Sequence, residues 1–240
     1  MKRCLTIDHG NSAVKVHFFI DGKVCALRRV DALSKSVIEE LRADFEPCGV
    51  MCCSVADNME AILAALNGWN GRVSALHRNL PLPLTIDYAS PATLGYDRIA
   101  AAVGAMVVAP RCNCLVVDAG TAMTLDYLTA DGRFKGGNIA PGITLRLKAL
   151  ADRCALLPLV GSDGETPIIG YDTSTAIRAG AVIGATLEVE GIARRLNVDK
   201  VIVTGGDAAL IAANADIDVA VEPHLVAFGL NRIFEYNEYL

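Results

Sequence analysis

The chain has 240 residues, 52% of them hydrophobic and 5% aromatic, a length that suits one large domain or two small ones. Its 22 basic and 27 acidic residues give a net charge of −5 with no basic cluster, which argues against a nucleic-acid partner. The N-terminus lacks the apolar core of a signal peptide and no run approaches about 18 uncharged apolar residues, so we expect a cytoplasmic protein with no membrane span.

The eight cysteines and four histidines form no recognisable metal pattern. A structural metal site would need two spaced cysteine pairs or nearby histidines, and no CxxC pair occurs. We therefore expect the cysteines to be buried, reduced thiols of a cytosolic protein.

Apolar periodicity and turn signals divide the chain into two series of elements. The first half is predicted to contain strands at 3–8, 14–20 and 23–30, a helix at 34–44, a strand at 50–55, a helix at 57–67 and a helix headed by Gly95 to Arg98 that ends near Ala109. The second half is predicted to contain strands at 115–118 and 124–128, a third strand ending near 139, helices at 143–154 and 173–196, a strand at 201–204 and a helix at 225–236.

The order strand, acidic turn, strand, hairpin, strand occurs twice, around Asp8 and around Asp118. The two passages share no obvious sequence similarity, so the repeat is one of structure. It predicts two like domains, residues 1–110 and 111–240, which face each other across a cleft.

The first acidic turn has the composition of a phosphate-binding loop. Glycine at position 10 lets backbone N–H groups approach a phosphate, because no Cβ stands in the way. Asn11 and Ser12 add side-chain donors, Asp8 can hold a magnesium ion through water, and Lys15 offers a positive charge. A plain hairpin turn explains the same residues equally well.

The second half repeats this chemistry with Asp118, Gly120 and Thr121 between two strands. Two such turns favour the binding of one polyphosphate. A diglycine, Gly205-Gly206, follows the predicted apolar strand at 201–204. It either closes on a flat ligand such as adenosine or is an ordinary strand–helix loop. Asp126, in the strand that follows the second acidic turn, is either an exposed strand-end carboxylate or a functional group.

Gly95-Tyr96-Asp97-Arg98 stands at the head of a predicted helix. Phosphoryl transfer needs positioning, charge neutralisation and a base for the attacking hydroxyl, and Asp97 and Arg98 are candidates for the base and the clamp. Helix capping is the alternative, because an acidic residue suits a helix N-terminus.

Several segments together resemble type III pantothenate kinases, a family of the actin/hexokinase-like ATPase superfamily. Asp8 to Ser12 resembles the family's Asp-x-Gly-Asn-Thr/Ser phosphate motif, and Asp118 to Thr121 resembles its Asp-x-Gly-Thr motif. The other similar segments are Pro91 to Arg98 (Pro-x-x-x-Gly-x-Asp-Arg), Gly136 to Gly142 (Gly-Gly-x-Ile-x-Pro-Gly), Thr173 with Ala176, Ile177 and Gly180, and Thr204 to Gly206.

The resemblance implies an α/β, actin-like (ASKHA) fold of two ribonuclease-H-like domains with mixed sheets around a cleft. It also implies a homodimer that uses ATP and Mg²⁺ to phosphorylate pantothenate to 4′-phosphopantothenate, the first step of coenzyme A biosynthesis. Asp97 is then the catalytic base, and Asp118 binds a monovalent cation, K⁺ or NH₄⁺. The implied ATP contacts are Asp8, His9, Gly10, Asn11, Ser12, Ala13, Val14, Lys15 and Thr121. The implied pantothenate contacts are Tyr88, Gly95, Tyr96, Asp97, Arg98 and Thr173.

The chain departs from the family pattern at three positions. Ser12 replaces the commoner threonine and keeps the hydroxyl, and His9 stands where a small or apolar residue is usual. Asp172 replaces a frequent asparagine, which puts the pantothenate pocket in doubt.

Two other functions compete with this one. The first is a kinase for another small alcohol. The residues that argue against it, because they fit pantothenate, are Tyr88, Asp97, Arg98 and Thr173. The second is a nucleotide-binding accessory factor for transcription without kinase activity. Such a factor should have lost the base or the phosphate turns, and this chain retains both.

Overall fold

The computed structural model describes residues 2–10, 13–46, 48–54 and 58–238. These residues form two compact units. Unit 1 takes the chain through Pro110 and again from His224 onward, and unit 2 runs from Arg111 to Pro223. The prediction placed all of 111–240 in the second domain, whereas the C-terminal helix belongs to the first unit.

Unit 1 is a five-stranded sheet with helices on both faces. Its elements are β1 (Arg3–His9), β2 (Val14–Ile20), β3 (Lys23–Val30), α1 (Lys35–Phe45), β4 (Gly49–Ser54), α2 (Met59–Ala65), β5 (Val73–Ala75), a two-residue strand β6 (Thr85–Ile86), a 3-10 turn (Pro91–Thr93), α3 (Tyr96–Val108) and the C-terminal helix α7 (Leu225–Glu238). The strand order is β3-β2-β1-β4-β5, in which β1 is antiparallel to β2 and parallel to β4. One face packs on α1 and α2, and the other packs on α3 and α7.

Helix α7 belongs to unit 1 because it covers an otherwise open face of that sheet. Its buried side chains include Leu230, Ile233 and Phe234. A Cβ on Gly49 of β4 would lie 2.1 Å from the Phe234 ring, so this ring occupies the space that a side chain at position 49 would need. Sequence order alone places α7 with the second half, and only these long-range contacts reveal its true position.

Helices α3 and α7 touch through their backbones. A Cβ on Gly104 would lie 2.0 Å from the carbonyl oxygen of Leu225, and a Cβ on Gly229 would lie 1.8 Å from that of Ala100. No side chain fits at either contact. Since α3 carries the predicted catalytic segment at its N-terminus, this close packing fixes the helix that presents it.

A buried histidine pair ties β2 to the start of α7. His17, which is 3% exposed, has its Nε2 3.0 Å from Nδ1 of His224. Its own Nδ1 and the hydroxyl of its cross-strand neighbour Thr6 have no hydrogen-bond partner in the described part of the chain. Burial, followed by the nearby charges of His224 and Lys15, lowers the pKa of His17 from 6.5 to about 4.

Unit 2 repeats the strand pattern of unit 1. Its elements are β7 (Cys114–Ala119), β8 (Ala122–Leu128), β9 (Arg133–Pro141), α4 (Ile143–Arg153), α5 (Thr173–Leu196), β10 (Lys200–Thr204), α6 (Ala208–Asn214) and β11 (Val219–Val221). Five strands run in the order β11-β10-β7-β8-β9, and β7 is antiparallel to β8 and parallel to β10, as β1 is to β2 and β4. Within the described ranges, no helix has the length and apolar character needed to cross a membrane.

All eight cysteines are free thiols, but they do not share one environment. The buried ones are Cys4, Cys48, Cys52, Cys53 and Cys114. Cys25 and Cys154 are exposed, so the expectation of burial is wrong for these two.

Replacing Gly229 with alanine should destabilise unit 1, because the new methyl group would overlap the backbone of Ala100. Overpacking of this kind costs about 1 to 3 kcal/mol. Gly191→Ala on α5 is the matched control, since nothing lies within 4 Å of its added Cβ and alanine favours helix by up to about 1 kcal/mol. Thermal unfolding followed by circular dichroism should show a lower Tm for G229A only. Equal Tm values for G229A and wild type would contradict the backbone contact.

The histidine pair should make folding stability depend on acid pH. The unfolded chain takes up a proton at His17 as the pH falls below 6.5, whereas the folded chain takes it up only near pH 4. The contribution of His17 to the free energy of unfolding is therefore full above pH 6.5 and falls as the pH drops from 6.5 to 4. The slope from this one group is at most about 1.4 kcal/mol per pH unit.

Urea unfolding at pH 7 and pH 4.5 measures this effect. His17→Gln keeps an amide donor but does not titrate, so it should lose less stability than wild type between the two pH values. His77→Gln, at an exposed histidine, should behave like wild type. Equal acid sensitivity in wild type and H17Q would rule out this role for His17.

Candidate active site

The first acidic turn lies at the end of β1, between two neighbouring strands. Asp8, which is 9% exposed, pairs in register with Lys15 on β2 and with Cys53 on β4. Register partners point to the same face of a sheet, so these three side chains are neighbours. The N–H of Gly10 donates to the carbonyl oxygen of Ala13 at 3.1 Å, which closes the turn. The predicted contacts Asn11 and Ser12 lie outside the described residues.

The His9 side chain points to the opposite face from Asp8. Its Nε2 lies 3.3 Å from Nδ2 of Asn58, and its Nδ1 lies 3.5 Å from the Ser54 hydroxyl. The ring is therefore engaged with β4 and the residue that precedes α2. An ATP contact at this position would have to come from the backbone.

Cys53 connects the first turn with the predicted base. This fully buried thiol has its pKa raised well above the usual value, chiefly by burial and further by the charges of Asp8 and Asp97. Asp8 lies opposite this thiol in the strand register, and α3, which carries Asp97 in its first turn, packs against the same strand β4. The raised pKa keeps the thiol protonated at neutral pH. Sequence analysis missed Cys53, which looked like one more residue of an apolar run.

Asp97 occupies the first turn of α3, where the helix N-terminus favours a negative charge. Gly95 is the N-cap, and the Oδ1 atom of Asp97 accepts the backbone N–H of Arg98 at 2.9 Å. A Cβ on Gly95 would lie 2.4 Å from that same oxygen. The carboxylate is thus folded back over Gly95, and glycine is needed there to make room for it.

Two arginine–tyrosine contacts flank this segment. Arg98 is 7% exposed, and its guanidinium carbon lies 5.9 Å from the centre of the Tyr88 ring. The guanidinium carbon of Arg78 lies 4.8 Å from the centre of the Tyr96 ring. Both distances fit cation–π contacts. Four predicted pantothenate contacts, Tyr88, Tyr96, Asp97 and Arg98, therefore belong to one region of unit 1.

The second acidic turn, in unit 2, is also closed by the N–H of its glycine, but the hydrogen bond spans one residue fewer than in the first turn. The N–H of Gly120 donates to the carbonyl oxygen of Ala122 at 3.1 Å. The diglycine loop packs directly on this turn: a Cβ on Gly205, whose φ is +94°, would lie 2.6 Å from the Oδ1 atom of Asp118. Asp118 itself is half-buried at the end of β7.

Two further segments fix this turn. Gly142 donates its N–H to the carbonyl oxygen of Thr121 at 3.0 Å, and Asp207 donates its N–H to that of Ala119 at 3.0 Å. Burial raises the pKa of Asp207, and a hydrogen bond from the backbone of Ile143 offsets part of this rise. Sequence analysis named Gly142 only within a motif, and it did not predict the contact of Asp207 with this turn, because contacts between such distant segments leave no local pattern.

Thr173 is the exposed first residue of α5, and Asp172 is its N-cap. The Oδ1 atom of Asp172 accepts the backbone N–H of Thr175 at 2.7 Å. Hydrogen bonds from the backbone and side chain of Thr175 hold the pKa of Asp172 below its usual value. Asparagine can cap a helix equally well, so this departure from the family pattern preserves the local structure.

Asp126 is 1% exposed. Its Oδ1 atom lies 2.4 Å from the position that a Cβ on Gly137 would take. The interpretation of Asp126 as an exposed strand-end carboxylate is therefore wrong, and the side chain is part of the β8–β9 packing.

A sequence model of the family described as type III pantothenate kinase matches residues 4–195, a range that includes both acidic turns, Asp97 and Thr173. The chain belongs to the type III pantothenate kinase family. A relative named type III pantothenate kinase, from Azobacteroides pseudotrichonymphae, is 35% identical over 238 residues, which cover 98% of this chain and 97% of the relative. Family membership therefore extends over almost the whole sequence.

Solved structures similar to this member of the family show its fold. A protein from Campylobacter jejuni described as a Baf family transcriptional activator superposes with a TM-score of 0.68 at 23% identity, covering 98% of this chain and 100% of that one. The ROK hexokinase from Thermus thermophilus superposes with a TM-score of 0.53 at 12% identity, covering 96% and 98%. The predicted actin-like α/β fold with mixed sheets is confirmed.

Proposed function

We propose that the chain transfers the γ-phosphoryl group of ATP to pantothenate and forms 4′-phosphopantothenate, the first step of coenzyme A biosynthesis. The observation that carries this proposal, beside family membership, is the placement of two carboxylates next to β4: Asp8 lies opposite Cys53 in the strand register, and Asp97 lies in the first turn of α3, which packs on β4. A kinase needs one carboxylate near the phosphates and their metal, and a second one as a base for the attacking hydroxyl. A nucleotide-binding factor without kinase activity would need only the first.

The two acidic turns are assigned to the ATP phosphates. Among the described residues, the nearest atom to a Cβ on Gly10 or on Gly120 is a carbonyl oxygen of the same turn at 3.5 Å, and neither glycine has a positive φ. The described neighbours therefore give no packing reason for glycine, and a ligand that approaches the backbone supplies one. The assigned ATP contacts are Asp8, His9, Gly10, Asn11, Ser12, Ala13, Val14, Lys15 and Thr121.

Asp97 is assigned as the general base. It takes the proton of the pantothenate hydroxyl as that oxygen attacks the γ-phosphorus and ADP departs. The hydrogen bond from the N–H of Arg98 orients the carboxylate for this role. Arg98 serves as a clamp for anionic groups, and Tyr88, Gly95, Tyr96 and Thr173 complete the pantothenate contacts.

Asp118 is assigned to a monovalent cation, K⁺ or NH₄⁺. Its Oδ1 atom and the carbonyl oxygen of Ala119 both lie within 2.6 Å of the position that a Cβ on Gly205 would take. Both oxygen atoms therefore lie beside the Gly205 backbone, and oxygen atoms are the ligands that hard cations prefer. Mg²⁺ would be held near Asp8 through water and the phosphates of ATP.

The homodimer stays a prediction from the family resemblance, and the cytoplasmic location stays a prediction from the sequence. Large apolar side chains exposed between α4 and α5 support self-association, because a second copy could cover them. These side chains are Leu156, Leu159, Ile168, Ile169 and Tyr171.

Asp97→Asn should remove the base and lower kcat by about 10²- to 10⁴-fold with the fold intact. Asp172→Asn is the matched control: it makes the same chemical change at a helix cap that asparagine also serves, so its kcat should stay near wild type. ADP release measures the rate, and mass spectrometry identifies the product. Wild-type turnover by D97N would exclude Asp97 as the base. A wild-type enzyme that makes no phosphopantothenate would refute the function itself.

Replacing Na⁺ with K⁺ at constant ionic strength should raise kcat/KM several-fold. Gly205→Ala should reduce this activation, because its methyl group would lie against Asp118 and Ala119. Gly206→Ala is the control, since nothing lies within 4 Å of its added Cβ. Equal rates in both salts would contradict the assignment of a monovalent cation to Asp118.

A further inference from the structure

Arg78 makes three contacts with the segment that leads into the catalytic helix. It lies in the connection between β5 and β6, and its Nη1 donates to the carbonyl oxygens of Pro91 and Leu94, the latter at 3.0 Å. Its guanidinium also lies over the Tyr96 ring at 4.8 Å. One side chain therefore contacts both ends of the 3-10 turn and the first residue of α3.

The hydrogen bonds of the segment that Arg78 holds are local. The N–H of Thr93 donates to the carbonyl oxygen of Ser90, and the N–H of Leu94 donates to that of Pro91 at a long 3.3 Å. The Thr93 hydroxyl also lies within hydrogen-bond distance of the Ser90 carbonyl and hydroxyl oxygens. The first helical hydrogen bond of α3 goes to the carbonyl oxygen of Gly95, so that of Leu94 lies outside the helix ladder. Arg78 gives this carbonyl a partner and joins the turn to a different part of the chain.

The position of this segment sets the position of the Asp97 carboxylate. The Oδ1 atom of Asp97 lies 2.4 Å from where a Cβ on Gly95 would stand. A shift in the backbone of Leu94 and Gly95 must therefore displace the carboxylate as well. Small displacements of a reacting group are costly in catalysis, with an error of about 1 Å worth up to about 100-fold.

We propose that Arg78 is a positioning residue for pantothenate binding and phosphorylation, a role that rests on the function proposed above. It holds the turn before α3 so that Gly95, Tyr96 and Asp97 meet the substrate in one fixed arrangement. The Arg78 side chain is exposed, and exposed charged contacts contribute little to folding. Its loss should therefore affect the substrate site more than the stability of unit 1.

Three variants separate positioning from folding. Arg78→Met keeps the aliphatic stem but removes the donors and the charge, and Arg78→Lys keeps a charged donor without the planar stacking surface. Arg72→Met is the matched control in the same unit, because Arg72 donates its Nη1 to the backbone carbonyl oxygen of Asn237 at 2.8 Å, away from the turn. Steady-state kinetics should vary pantothenate and ATP separately, with Tm measured for each protein.

We expect R78M to raise the KM for pantothenate about tenfold and lower kcat, while the KM for ATP stays within about twofold. R78K should recover part of this loss, and R72M should match wild type. Unchanged pantothenate kinetics in R78M would overturn the proposal. So would a loss of folded protein shared by R78M and R72M with both KM values unchanged.

Failure of the proposed function would look different. A wild-type enzyme that phosphorylates another alcohol refutes the choice of pantothenate, and the same variants then test Arg78 with that alcohol. If the wild-type protein phosphorylates no alcohol, the proposed kinase activity is refuted, and the positioning role of Arg78 is overturned with it.

Discussion

The parallel pairing of β1 with β4 is the constraint on which the site in unit 1 depends. It sets Asp8 opposite Cys53, and the antiparallel partner β2 sets Lys15 on the other side of Asp8. Helices α3 and α7 cover this same face, and their glycine-mediated contact holds α3, which carries Asp97 in its first turn, against β4. A change in strand register by one residue would turn Asp8 to the opposite face and separate the two carboxylates.

Unit 2 uses the same strand geometry for a different result. There β7 pairs with β10 so that Asp118 lies opposite Thr204, and the chain leaves β10 directly into Gly205. Where β4 supplies a buried thiol to the first turn, β10 leads into a glycine that packs against the carboxylate oxygen of the second. Each turn is closed by the N–H of its glycine, but the neighbouring residue differs: a buried thiol lies beside Asp8, and a glycine lies beside Asp118.

Sequence periodicity predicted most of the long elements, because β1, β2, α5 and α7 each carry a clear apolar pattern. It did not predict the three-residue strands β5 and β11, which are too short for a pattern to accumulate. The site was predictable where chemistry is local, as in the acidic turns and the segment from Gly95 to Arg98. Cys53 and Asp207 could not be found in this way, since each acts through contacts with residues far away in the chain.

The glycines of the two turns and the glycines around them occupy their positions for different physical reasons. At Gly142 and Gly205 an added Cβ would overlap a backbone oxygen at 2.0 and 2.5 Å, so packing alone requires glycine there, whereas at Gly95 the nearest atom is a carboxylate oxygen of Asp97 at 2.4 Å. At Gly10 and Gly120 the same Cβ would meet its nearest neighbour at 3.5 Å, which is ordinary contact. A motif that reads as one glycine-rich signature thus contains residues kept for the fold and residues for which the fold gives no reason. The second group is where a phosphate approaching the backbone explains what packing does not.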